Sequence, residues 1–173
     1  ARKFNARYGD TFPITEPLIG EDVGRILGLD GDAKMSKSLG NTVGILAGPD
    51  DVWDKVRTAV TDPQRVRRDD PGRPEVCNVF ALHRFFTEEN AREEIEAGCR
   101  SAELGCVDCK RMLSGNIATS FAPYRERATH YREHPSEVRD VLDQGAEKAQ
   151  KIASETMQEV RRKMGLNWRN AIP

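Results

Sequence analysis

No segment of this chain approaches the ~18 consecutive apolar residues that a membrane-spanning helix needs, so nothing in it reads as a span. The start lacks the charged, apolar and small-residue order of a secretion signal, which makes the cytoplasm the expected compartment. Charge of one sign is missing too: 27 Lys and Arg stand against 28 Asp and Glu, a net charge of −1. That excludes a uniformly basic nucleic-acid coat, while leaving room for local basic patches. Aromatic residues make up only 6% of the chain, against 32% charged residues, a balance that suits a helix-rich protein. The 38% of hydrophobic residues suffice for a modest core. There is no internal repeat and no low-complexity tract.

At 173 residues the chain is one domain, or one domain plus part of another. It opens without Met, and Phe4 and Tyr8 lie four apart ahead of Gly9. This predicts the last two turns of a helix that begins upstream, in a larger protein. Residues 11–48 are rich in Gly and Pro, including Gly20, Gly24, Gly28, Gly31 and Gly40, and predict loops with one short strand. From Pro49 the character turns helical, because Pro49-Asp50-Asp51 is a start signal with acidic residues in the first turn. Further helices are expected near Cys77–Phe86 and Thr87–Cys99, and Gly105–Pro123 contains a Cys-x-x-Cys and then Met112, Leu113, Ile117 and Phe121. Arg125–His134 is polar, and a polar inter-helix turn is expected at His130–His134. A last long helix follows Pro135, with Val138, Val141, Leu142, Ile152 and Val160 on one face, and ends at Gly165.

Two features carry chemistry. The first is Lys34-Met35-Ser36-Lys37-Ser38, between Gly31 and Gly40. Two ammonium groups and two hydroxyls on a glycine-flanked loop suit a polyphosphate: the lysines offset charge on a pyrophosphate leaving group, and hydroxyls and backbone N–H groups donate to its oxygens. The flanking glycines let such a loop close and reopen. The second is the cysteine set Cys77, Cys99, Cys106 and Cys109, spaced C-x21-C-x6-C-x2-C. Disulfides are disfavoured in a cytosolic protein. The Cys-x-x-Cys is a chelating pair that two more thiolates would complete. The residues alone allow Zn²⁺, a [4Fe–4S] cluster or four unligated thiols.

Arg65, Arg67, Arg68 and Arg73 share one loop, Lys110 and Arg111 follow the Cys-x-x-Cys, and Arg125, Arg127 and Arg132 come later. These are candidates for RNA phosphates or unpaired bases, diluted by Asp69, Asp70 and Glu126. His130-Tyr131-Arg132-Glu133-His134 matches an inverted zinc-protease pattern, but Pro135 pushes His134 out of helical geometry and argues against it.

The lysine loop resembles the second signature of the class I aminoacyl-tRNA synthetases. Its flanks are similar to tryptophanyl-tRNA synthetases of the bacterial type: Arg2-Lys3-Phe4-Asn5, Pro17-Leu18-Ile19, Gly24-Arg25-Ile26-Leu27-Gly28, Thr61-Asp62-Pro63, Cys77-Asn78-Val79-Phe80 and Gly105-Cys106-Val107-Asp108-Cys109. The resemblance covers nearly the whole chain. It implies a mainly α fold, with residues 1–48 ending a Rossmann-like α/β catalytic domain and residues 49–173 forming an α-helical anticodon-binding domain. It implies that Ile26, Lys34, Met35, Ser36, Lys37 and Ser38 bind ATP with Mg²⁺, and that Lys34 and Lys37 act in catalysis. It implies tryptophan and tRNA(Trp) as partners, a homodimer at full length, and no membrane. The four cysteines resemble a [4Fe–4S] ligand set, with zinc as the runner-up. The family's early His-x-Gly-His signature is missing, since His83, His130 and His134 stand in no such motif, and the family's tryptophan pocket lies upstream of the lysine loop. The chain is therefore expected to be a C-terminal half that is inactive alone. Two alternatives stand beside this: a non-catalytic, metal-stapled helical module that binds tRNA or a protein, and a relative of tyrosyl-tRNA synthetase.

Overall fold

The computed structural model describes residues 1–19 and 25–166. Gly20 and Gly24 of the glycine-rich stretch lie outside the described residues. The chain divides into two compact units, one of Ala1–Gly20 with Tyr131–Pro173, the other of Glu21–His130.

The described residues hold six α-helices: α1 (Arg2–Tyr8), α2 (Pro49–Val56), α3 (Asn78–Phe86), α4 (Glu89–Arg100), α5 (Cys106–Glu133) and α6 (Pro135–Lys163). The mainly helical class expected from composition is observed. The short strand is not: among the described residues the only β pairing is an isolated antiparallel bridge between Leu27 and Lys34. Phe12-Pro13-Ile14 and Pro17 carry no strand, because two prolines within six residues remove ladder donors.

In the 21–130 unit, α2 starts as predicted, with Pro49 at its first position and Asp50 and Asp51 in the first turn. Its Val52 and Val56 are fully buried. They join Val79 and Leu82 of α3 and Leu113 and Ile117 of α5 in one core. Each such side chain contributes roughly 1.5–3 kcal/mol on leaving water. Leu29 enters this core from the glycine-rich segment, and Cys77 from the residue before α3.

The inter-helix turn expected at His130–His134 is helix as far as Glu133, since α5 runs on through Pro123. Proline removes one backbone donor and weakens the turn before it. There, Arg125 donates through Nη2 to the Ala118 carbonyl (2.8 Å) and through Nη1 to Ala47 O (3.2 Å). The helix breaks only at His134, just before Pro135. The His-x-x-Glu-His pattern thus spans a helix end, as its proline foretold.

In the other unit, α1 ends where Gly9 takes φ 81°, a left-handed value glycine tolerates. Asn5 Oδ1 accepts from the Phe12 N–H (3.1 Å), and Asn5 Nδ2 donates to Phe12 O (2.7 Å). Lys163 of α6 donates to Thr11 Oγ1 (2.9 Å) and to Asp10 O. Of the α6 face read from sequence, only Val160 is buried; Val141, Leu142 and Ile152 are exposed.

Candidate active-site loop and metal centre

The lysine loop rises from a tight double-back of the chain. Gly28 N–H donates to Ala33 O (2.9 Å) and Met35 N–H to Ile26 O (2.9 Å), so Ile26 and the loop are drawn together. Met35 and Ile26 pack partly into the core, while Lys34, Lys37 and Ser38 are exposed. A single 3₁₀ turn, Lys37–Leu39, ends at Gly40 with φ 67°. Ser36 and Ser38 share a hydroxyl contact of 2.9 Å.

Asn41, which the sequence did not single out, holds this loop from beneath. Its Oδ1 accepts from Ser36 N–H (2.8 Å), and its Nδ2 donates to Asp30 Oδ2 (2.7 Å). Its own carbonyl accepts from Leu29 N–H (2.9 Å). The Asn41 amide holds the Asp30 carboxyl below its ordinary range, aided by the Asp32 backbone. Gly28 must be glycine, because a Cβ there would lie 2.1 Å from Asn41 Nδ2. Asn78 Nδ2 donates to Gly28 O (2.7 Å) in a buried contact that ties this turn to the start of α3.

All four cysteines line one cavity of about 20 Å³, together with Thr61, Arg65, Phe80, Ile95 and Leu104. They come from three segments: the residue before α3, the last turn of α4, and two turn-spaced positions at the start of α5. All are free thiols. Burial first, then Cys77, Cys99 and Cys106, push the Cys109 thiol up to about 12, with the Arg65 charge opposing. Burial likewise raises Cys99, again opposed by Arg65. A cation joining buried thiols such as Cys99 and Cys109 would favour their ionised form.

Arg65, Gly72 and His83 approach these sulfurs closely. Arg65 Nη1 donates to Cys99 Sγ (3.6 Å), and Arg65 Nε is buried without a hydrogen-bond partner. A Cβ on Gly72 would lie 2.4 Å from Cys99 Sγ. Buried His83 sets its Nε2 3.4 Å from Cys109 Sγ. Burial pushes His83 below its usual range, with its bond to the Cys109 carbonyl opposing. The loop that brings Arg65 and Gly72 here is clasped by buried Asp62. Its Oδ1 accepts from Arg73 Nη2 (2.6 Å), and its Oδ2 from Arg73 Nε (3.0 Å) and from Arg73 N–H (3.0 Å).

Several arginines read as RNA candidates are engaged within the protein. Arg65, Arg73 and Arg125 make the internal bonds above; Lys110 donates to Arg57 O (2.9 Å), and Arg111 stacks 4.5 Å over the Trp53 ring. Arg67 and Arg68 remain exposed. They line, with Arg65, Cys106 and Asp108, an open cleft of about 300 Å³.

The profile of class I tRNA synthetases for W and Y matches residues 1–122, which include the lysine loop and all four cysteines. The chain belongs to that family. Among relatives, the tryptophan–tRNA ligase of Deinococcus radiodurans is 48% identical over 165 residues, covering 95% of this chain and 50% of that protein. The tryptophan–tRNA ligase of Aquifex aeolicus is 43% identical, over 96% of this chain and 42% of its own length. The solved tryptophanyl-tRNA synthetase of Campylobacter jejuni, complexed with ADP and tryptophan, superposes with a TM-score of 0.79 at 34% identity. The match covers 96% of this chain and 51% of that one. This class I synthetase chain thus spans about half the length of the relatives it matches. Asn41 did not stand out beforehand, and Arg65 was read only as an RNA candidate and His83 only as a histidine outside the family motif. An Asn just after the glycine that closes the lysine loop was the one available signal.

Proposed function

We propose that this chain is the lysine-loop and helical half of a tryptophan–tRNA ligase. The carrying observation is the Lys34–Ser38 loop: both lysines and Ser38 are exposed while the backbone beneath is held by Asn41. The 48% identity over 95% of the chain supports tryptophan over tyrosine. On this reading residues 1–48 end the catalytic domain, and residues 49–173 form the helical domain that meets the tRNA anticodon. The intact protein would be a cytoplasmic homodimer.

ATP lies with its base near the Ile26 backbone and its phosphates at Lys34, Met35, Ser36, Lys37 and Ser38. The tryptophan carboxylate oxygen attacks the α-phosphorus, forming a new P–O bond. The bond between the α-phosphorus and its bridging oxygen breaks, and pyrophosphate leaves with that electron pair. Lys34 and Lys37 offset the charge that grows on the leaving group, and Mg²⁺ accompanies the phosphates. The adenylate carbonyl is then attacked by a hydroxyl of the terminal tRNA ribose, releasing AMP. No side chain of this chain needs to move a proton in the first step.

The four cysteines fit a metal group. Their chemistry is all-thiolate, their cavity is shared, and an unpartnered buried N–H of Arg65 stands at its wall. We read them as ligands of a [4Fe–4S] cluster, with zinc as runner-up, and its role as joining three helical segments into one body. Ligation moves no electrons, so the group supplies structure.

Tryptophan-dependent ATP–pyrophosphate exchange by the full-length protein tests the reading. Exchange with tryptophan and none with tyrosine is expected, as is silence from the 173-residue chain alone. Exchange with tyrosine instead would move the assignment within the family. A full-length protein silent with both would favour the non-catalytic module.

A further inference from the structure

The cysteine cavity has two nitrogen donors aimed at its sulfurs, and neither belongs to the ligand set. Arg65 donates through Nη2 to Arg68 O (2.9 Å) and Leu104 O (3.0 Å), and through Nη1 to Cys99 Sγ (3.6 Å). Its partners are two carbonyls and one sulfur, none of them a carboxylate. A half-buried guanidinium with no anionic partner is costly. A thiolate-ligated centre supplies the missing negative charge.

His83 Nε2 lies 3.3 Å from Cys109 O and 3.4 Å from Cys109 Sγ. A peptide oxygen only accepts, so Nε2 carries the hydrogen and Nδ1 is the acceptor. The opposite side of the ring agrees. Asn116 Nδ2 donates to Thr87 Oγ1 (2.8 Å), and the Thr87 hydroxyl donates to His83 Nδ1 (2.7 Å). This Asn116–Thr87–His83 relay fixes the tautomer that turns an N–H toward Cys109.

We propose that Arg65 and His83 are positioning residues for the group held by Cys77, Cys99, Cys106 and Cys109, retaining it and setting its electron affinity through N–H···S bonds to Cys99 and Cys109. The inference rests on reading those cysteines as ligands. Donors to ligand sulfurs and a nearby cation favour the more negative, reduced form, so they raise the reduction potential. Partners of this kind typically change metal retention by roughly 10–100-fold.

The test uses the full-length protein purified without oxygen, as wild type, Arg65→Lys, Arg65→Met and Thr87→Val. Iron, sulfide and zinc per chain, the rate of loss to a chelator, and the reduction midpoint are measured, beside thermal unfolding of the metal-free protein. Arg65→Met is expected to lose its iron roughly 10–100-fold faster, with a midpoint shifted negative and metal-free unfolding nearly unchanged. Arg65→Lys should recover part of the shift by keeping the charge. Thr87→Val leaves His83 in place but removes the hydroxyl that fixes its tautomer, and should shift the midpoint the same way by less. Unchanged loss rate and midpoint in both Arg65→Met and Thr87→Val, in a wild type that holds iron and sulfide, would overturn the proposal. A wild type holding one zinc per chain drops the cluster, and faster zinc loss from Arg65→Met then supports the donor role. A wild type with no metal instead removes the ligand reading itself.

Discussion

In the lysine loop both lysines meet water and the backbone is what the protein holds. In the cysteine cavity the side chains converge on one small space, and they come from three separate segments. Both regions stand on one core: Leu29 and Met35 reach it from the loop, and Cys77 and Cys109 from the cavity. They even share a chain step, because Cys77 lines the cavity and the next residue, Asn78, bonds the carbonyl of Gly28 under the loop. The contrast follows from what each arrangement can do. A loop that closes on a leaving group needs mobile cations on a fixed base. A ligand set needs its donors fixed before the group arrives.

The sharpest way to separate the two regions is Lys37→Ala in the full-length protein. The rate of tryptophan activation should fall roughly 10²–10³-fold, while tryptophan binding stays near wild type and iron content is unchanged. Cys106→Ser should do the reverse, losing the metal group while the activation rate of the surviving folded protein stays close to wild type. Equal losses of rate and tryptophan affinity in Lys37→Ala would break the claim that this cation acts on the leaving group. Next in size is Gly28→Ala. The new Cβ falls into the Asn41 side chain, which three bonds hold in place. Overpacking of this kind costs about 1–3 kcal/mol, to be read by urea unfolding. The KM for ATP should rise with it. A simultaneous loss of iron would show that the shared Cys77–Asn78 step couples the regions more tightly than the contrast allows.

How much of this was legible beforehand depends on how local each cause is. The helix start at Pro49-Asp50-Asp51 and the stop at Gly9 are written in adjacent residues, and both were read correctly. The lysine loop is a contiguous word of the same kind. The Asn41 anchor is not: it works because the Gly28–Ala33 and Ile26–Met35 bonds fold the chain back until residue 41 lies against residues 28, 30 and 36. Arg65 and His83 reach the cysteines from 34 and 26 residues away, and no spacing rule links an arginine in a loop to a thiol on α4. The polar run before Pro135 misled in the opposite way. It predicts a turn at His130–His134, yet α5 continues through Pro123 to Glu133, with Arg125 bonded to Ala118 and Ala47. The apolar stripe of α6 was read correctly as a face, but periodicity cannot say whether a face is covered, and Leu142 stays 66% exposed.

The smallest expected effect concerns acid. Asp62 closes the loop that carries Arg65 and Gly72 to the cysteines, and the Arg73 guanidinium holds its carboxyl well below the usual aspartate range. Its folded pKa is therefore depressed, so the unfolded chain binds the proton first as pH falls. The stability contributed by this pair is fully present above the unfolded value of about 4 and is lost as pH falls from there through the lower folded value. Asp62→Asn removes that dependence. The stability gap between wild type and variant, measured by urea unfolding at a series of pH values, should be constant at neutral pH and narrow below about pH 4. A gap that stays constant down to pH 3 would mean that the Asp62 carboxylate charge contributes little, and that its neutral hydrogen bonds hold the cavity wall. The clasp would then match the lysine loop's base, where the amide of Asn41 does the holding, and the two regions would share one device.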